Sequence, residues 1–202
     1  MATKSFRPIR AKKGMPQLAR VLVICDGAET EPNYFTGLKR RDEVAKKAVL
    51  IVRSVEGKNR DNAIRKLVSS NNPDETWCIF DTEVPADRAE IDRIEALAAQ
   101  HSAKVFWSNP AFEVWVLAHF ARPGCAFYSC DAVIDEIDKY WQKLFGAEYS
   151  KIDKKIFQRL EPHTAKAVEN CRWVNEHHHG PNCHTADCNS SSSMCEIVGR
   201  FF

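Results

Sequence analysis

Four short runs of apolar, largely β-branched residues limit what this chain can fold into: Val21 to Cys25 (VLVIC), Ala48 to Val55 (AVLIVRSV), Thr76 to Phe80 (TWCIF) and Lys104 to Trp107 (KVFW). Runs this short and this apolar suit strands buried on both faces of a sheet. Between them lie stretches with helical spacing. Tyr34, Phe35 and Leu38 follow the first run, Ala63, Ile64, Leu67 and Val68 mark a helix over 61–68, and Ile91, Ile94, Leu97 and Ala98 form the inward stripe of a third helix opened by Pro85. The charged Asp87, Glu90, Asp92, Arg93 and Glu95 of that helix face water. Regular alternation of strand and helix is the pattern of a parallel sheet with helical crossovers. The expected fold is therefore α/β, a central, mostly parallel four-stranded sheet flanked by helices over about residues 20–121, with a helical C-terminal part over about 131–202.

The second strand ends in a turn at Gly57 and Asn59, but the other three are followed by something else. The first run stops at Asp26-Gly27, with Glu29 and Glu31 close behind and Pro32 placed as a first helical residue; the third stops at Asp81-Thr82-Glu83. After the fourth, Ser108-Asn109-Pro110 offers a cap and a proline at the start of a helix running to Phe120. That helix is apolar almost all round, with Glu113 and His119 as its ionisable groups. A buried glutamate must be paired, hydrogen-bonded or metal-bound, because burial of a bare carboxylate costs several kcal/mol. His119, six residues further on, lies on another face and reads as a structural histidine. Glu29 and Glu31 also have a plain explanation, since acids are favoured near a helix N-terminus.

In an open α/β sheet the crevice outside the carboxyl ends of the strands is where ligands bind. Carboxylates gathered there repel and raise one another's pKa. A hard divalent cation, magnesium or manganese, removes that penalty and makes phosphodiester hydrolysis the natural reaction class.

Net charge is only +2, but the first twenty residues carry Lys4, Arg7, Arg10, Lys12, Lys13 and Arg20 and no acid. Residues 1–19 thus read as a basic, flexible arm suited to tracking phosphates, or as a solubilising terminus. No apolar run is long enough to cross a membrane and no apolar signal core opens the chain, so a cytoplasmic protein without membrane contact is expected. Cys25, Cys78, Cys125 and Cys130 lie singly in or near apolar segments and are expected as packed, reduced thiols. Near the C-terminus Cys171, His177, His178, His179, Cys183, His184, Cys188 and Cys195 are concentrated, but there is no C-x2-C pair. On spacing alone zinc is not expected, and the stretch reads as a loop before a final helix through Ile197 and Phe201, capped by Ser192 or Ser193.

The motifs CDGAETEPNYFTGLK (Cys25 to Lys39), WCIFDTE (Trp77 to Glu83) and SNPAFEVWVLAHF (Ser108 to Phe120) resemble those of the RloB-like family. Weaker similarity continues through YSKIDKKIFQRL (Tyr149 to Leu160) and NSSSSMCEIV (Asn189 to Val198). The resemblance implies a fold related to the Toprim domain and a metal-dependent nuclease in anti-phage defence by abortive infection, as in AbiLii-like proteins. It further implies nucleic acid, DNA or RNA, as substrate and a AAA/ABC-type ATPase as partner. By position, Asp26 matches the family's catalytic acid or base, and Asp81 and Glu83 match its magnesium-holding pair; Asp26, Glu31 and Glu113 are candidate further metal ligands. Asp26 stands where the Toprim pattern has glutamate, Glu83 where it has aspartate, Ala28 where a second acid is usual, and Glu29 where lysine is common. These departures leave a second reading, a weak or inactive module that binds metal, nucleotide or nucleic acid and acts through its partner.

Overall fold

The computed structural model describes residues 18–55, 59–179 and 183–202; nearly all of the basic arm lies outside them. Strands β1 (Ala19–Cys25), β2 (Ala48–Ser54), β3 (Glu75–Asp81) and β4 (Ala103–Asn109) pair in parallel, in the order β2-β1-β3-β4. A fifth, two-residue strand that the sequence pattern does not mark, β5 (Ser191–Ser192), runs antiparallel to the end of β4. It is too short to show periodicity, but it covers the carboxyl end of an otherwise open edge.

The crossovers are α1 (Thr30–Leu38) and α2 (Asp42–Ala45), then α3 (Arg60–Asn71), then α4 (Arg88–Gln100). Beyond β4 come α5 (Glu113–Ala118), α6 (Cys130–Phe145), α7 (Ile156–Leu160), α8 (Thr164–Val174) and α9 (Met194–Val198).

Strand alternation sorts these helices into two layers. Val21, Val23, Cys25, Trp77, Ile79 and Phe106 face one core, packed against α1, α2 and all five C-terminal helices. Leu22, Ile24, Cys78, Phe80 and Trp107 face the other, against Ile64 of α3 and Ile91, Ile94 and Leu97 of α4. The chain leaves β1 on the first side to reach β2 and returns on the second side to reach β3. The winding therefore reverses at β1, and a crevice opens between the carboxyl ends of β1 and β3.

Several boundaries differ from the sequence reading for local reasons. Helix α1 starts two residues before Pro32. Helix α4 starts at Arg88 rather than Pro85 because Asp87 is the better cap, its Oδ1 accepting from the N–H groups of Ala89 and Glu90 at 2.9 and 3.1 Å. Pro110 does not open a helix: β4 runs on to Asn109, and the Pro110 carbonyl accepts from Glu83 N–H at 3.0 Å. Cys125 is exposed in the loop between α5 and α6, whereas Cys25 and Cys78 are buried as expected. At the last helix Ser192 Oγ accepts from Met194 N–H at 3.3 Å.

Ile24, in interior strand β1 and fully buried, tests this arrangement. Ile24→Ala should lower unfolding free energy by about 2–5 kcal/mol in urea titrations, whereas Val49→Ala, 47% exposed on edge strand β2, should change it by no more than about 0.5.

Candidate active site

Asp26 and Asp81 end β1 and β3 on either side of the crevice, and strand parity sends them in different directions. Asp26 continues the Leu22 and Ile24 face, toward α3; Asp81 continues the Trp77 and Ile79 face, toward α1 and α5. The Asp26 N–H still bonds Ile79 O at 3.1 Å, so β1 and β3 stay paired to this point.

On the α3 side, Asp26 Oδ2 is gripped by the Arg60 guanidinium through both Nε (3.1 Å) and Nη2. The same Nη2 donates to the Asp81 carbonyl at 2.8 Å, and Nη1 reaches Glu90 at 3.3 Å. One side chain thus ties the ends of both strands together. Arg60 stands in the first turn of α3, where a cation opposes the helix dipole. That unfavourable placement is the sequence signal for a residue used elsewhere. The other oxygen, Asp26 Oδ1, is buried with no hydrogen-bond partner among the described residues.

On the other side Asp81, Glu31 and Glu113 converge. Glu31, in the first turn of α1, accepts from Gly27 N–H at 3.1 Å. A Cβ at Gly27 would come within 2.5 Å of Glu31 Oε2, so a larger residue here would displace the Glu31 carboxylate. Burial, with the charges of Glu113 and Asp26 added, pushes the Glu31 carboxyl up to about 7. Burial and the charges of Glu31, Glu113 and Asp26 push Asp81 well above the usual carboxylate range, against a partly offsetting hydrogen bond from the Phe112 backbone.

Glu113 has the partners its burial demands: Thr30 Oγ1 at 3.2 Å and Tyr149 Oη at 3.3 Å donate to Oε1, Cys130 Sγ donates to Oε2 at 3.3 Å, and Lys151 Nζ lies 3.7 Å away. Burial and Glu113 push the Cys130 thiol up to about 12, so it stays a proton donor. Tyr149 and Lys151 come from the stretch after α6, within one of the two weaker motifs, and neither carries a periodic signal that singles it out.

Glu83 sits differently. Its backbone is left-handed (φ 59°), its N–H bonds Pro110 O, and its side chain lines an open groove of about 510 Å³ with Asn59, Arg60, Asp61, Asp87, Glu90 and Arg93. The structure therefore brings Asp26, Glu31, Asp81 and Glu113 together and places Glu83 on the rim beside Arg60. His119 is buried among aromatic rings, its Nδ1 2.9 Å from Trp115 O and Nε2 3.5 Å from Thr164 Oγ1, and burial lowers its pKa to about 3. It is a neutral packing group.

Four carboxylates share this end of the sheet with two cations, Arg60 and Lys151. The excess of acidic groups and the orphaned Asp26 oxygen are features that a hard divalent cation would relieve.

The pH dependence of the metal-free protein follows from Glu31. Its folded value of about 7 lies above the ordinary 4.5, so the folded state holds the proton more tightly. That contribution to stability is complete below pH about 4.5 and is lost as pH rises through 7. Glu31→Gln keeps an acceptor for Gly27 but cannot ionise. Without divalent metal its melting temperature should fall less than wild type between pH 5 and pH 8; a parallel fall in both proteins would show that Glu31 is not strained.

Searches of curated proteins and of solved structures each gave no match. Among the described residues no helix is long and apolar enough to cross a membrane. The family model described as RloB-like protein matches residues 21–200, which takes in β1, the acidic crevice and every C-terminal helix. The chain belongs to the RloB-like family.

Proposed function

We propose that the protein is a metal-dependent, Toprim-type nuclease of anti-phage defence, acting with a AAA/ABC-type ATPase. The observation that carries this reading is the meeting of Asp81, Glu31 and Glu113 beside Asp26 at the reversal point of the sheet, with more negative charge than Arg60 and Lys151 offset. Asp81 and Glu31 would hold magnesium or manganese, with Glu113 as a third carboxylate. The chemistry that a metal held there would supply is polarisation of a phosphoryl oxygen and activation of water at neutral pH.

The remaining roles fall to the chain itself. Arg60 fixes Asp26 by Oδ2 and leaves Oδ1 to accept or return a proton. Lys151, half exposed beside Glu113, is placed to meet a phosphate from the solvent side. Tyr149 and Thr30 hold Glu113 in one rotamer, which keeps the ligand set ready before an ion arrives. Glu83 and Arg93 on the groove rim lie where a nucleic-acid strand leaving the crevice would pass.

A second reading, a non-catalytic module acting through its partner, draws on the same Arg60: its guanidinium already neutralises Asp26 in the metal-free state. Calorimetric titration with magnesium, alongside a cleavage assay on DNA and RNA with and without the ATPase, separates the two. For the nuclease, wild type binds magnesium and cleaves, while Asp81→Asn loses affinity at least about tenfold and cleavage about 10²-fold with the fold intact. Magnesium binding with no cleavage under any of these conditions would favour the module.

A further inference from the structure

The second concentration of unexplained chemistry lies far along the chain, where a five-residue π-helical turn (Asn175–His179) prolongs α8. Its last residue, His179, faces Cys183 and Cys188, which flank the short 3-10 turn Thr185–Asp187. One ligand atom from each of the three residues lies within 4.8 Å of the other two. Spacing within the sequence hides this, because His179 arrives from a different element.

Nearby histidines are occupied. His177 Nδ1 meets Trp173 O at 2.9 Å and its ring stacks on Trp173, while His184 holds Asp92 at 2.9 Å and accepts from Ala186 N–H at 3.1 Å. His179 Nε2, by contrast, is buried with no hydrogen-bond partner among the described residues. So is Asn175 Oδ1, one helical turn earlier. Both residues, with Cys183 and Cys188, line a small cavity of about 150 Å³ that also touches Trp107 and Ser191 to Ser193.

We propose that His179, Cys183 and Cys188 form a zinc site in the reduced protein. One nitrogen and two sulfurs are the soft donor set that zinc selects. A tetrahedral ion with bonds of about 2.0–2.3 Å spaces its ligand atoms by about 3.3–3.8 Å, within small side-chain rotations of the present positions. The fourth ligand is a water in the cavity, and its proton goes to Asn175 Oδ1 as a hydrogen bond. Two orphaned buried atoms are thereby explained by one ion.

The loop is held in place without the sulfurs: Asn109 Nδ2 donates to Thr185 O at 2.8 Å, Arg88 pairs with Asp187, and His184 pairs with Asp92. In the structure Cys183 and Cys188 are joined as a disulfide, with Cα atoms 6.2 Å apart. A dithiol reductant gives that bond two electrons and two protons, becomes a disulfide itself, and leaves two thiols; zinc then displaces both thiol protons. Disulfide and zinc site are alternative states of one pair.

The test uses the full chain kept reduced with a phosphine. Titration with zinc should show one tight equivalent at this site, and cobalt in its place should give a thiolate-to-metal charge-transfer band, which coordination by the crevice carboxylates cannot produce. Cys183→Ser with Cys188→Ser should abolish the band, His179→Asn should weaken zinc at least tenfold, and Cys125→Ser should match wild type, with circular dichroism reporting the fold. Absence of the band in folded, reduced wild type, or its survival in the double serine variant, overturns the site. Should the double variant fail to fold, unchanged zinc affinity in His179→Asn overturns it instead.

Discussion

A single guanidinium holds the working end of this molecule together. Arg60 leaves the first turn of α3, crosses under the ends of two parallel strands, and bonds the side chain of Asp26 on one and the backbone carbonyl of Asp81 on the other. Parallel strands have no hairpin to fix their ends, so a crevice at a winding reversal tends to splay where like charges face each other. The bidentate geometry of arginine suits this task, since a lysine would offer a point charge without the fork. Asp26 and Arg60 are both largely shielded from solvent, which makes each dependent on the other. Loss of the cation alone would strand a buried carboxylate, at a cost of about 3–5 kcal/mol.

The strands, their order of appearance and the two-layer α/β plan were legible in the sequence because both-face burial leaves an unbroken apolar run. The acids at the strand ends were equally visible, and Asp26, Glu31, Asp81 and Glu113 do converge. What could not be read was direction. Asp81 and Glu83 look like a matched pair in sequence, but the left-handed turn at Glu83 carries its side chain out to the rim. Nor do Tyr149 and Lys151 announce themselves, because a long-range partner leaves no periodic trace; Arg60 is marked only by its unfavourable place at a helix start. The C-terminal cysteines show the same limit: spacing judged them as neighbours along the chain, while the fold adds a histidine from an adjoining helix.

The two halves of the chain make unequal contributions. Residues 19–109 build the sheet and the α3–α4 layer, and their acids define the crevice. The opposite layer is supplied mostly by α5 to α9, which bury Cys25, Trp77 and Ile79 from the far side. Glu113 bridges these halves, standing at the start of α5 with Thr30 on one side and Cys130, Tyr149 and Lys151 on the other.

That division has a consequence for the order of synthesis. Translation delivers the acids of β1 and β3 first, while Tyr149 and Lys151, two of the groups around Glu113, follow only after α6 has emerged, some forty residues behind Asn109. A nascent chain halted before Tyr149 lacks α7, α8 and α9 on one apolar sheet face and has an acidic crevice without its Lys151 neighbour. A fragment ending after β4 is therefore a sheet in search of its second layer rather than a smaller copy of the fold.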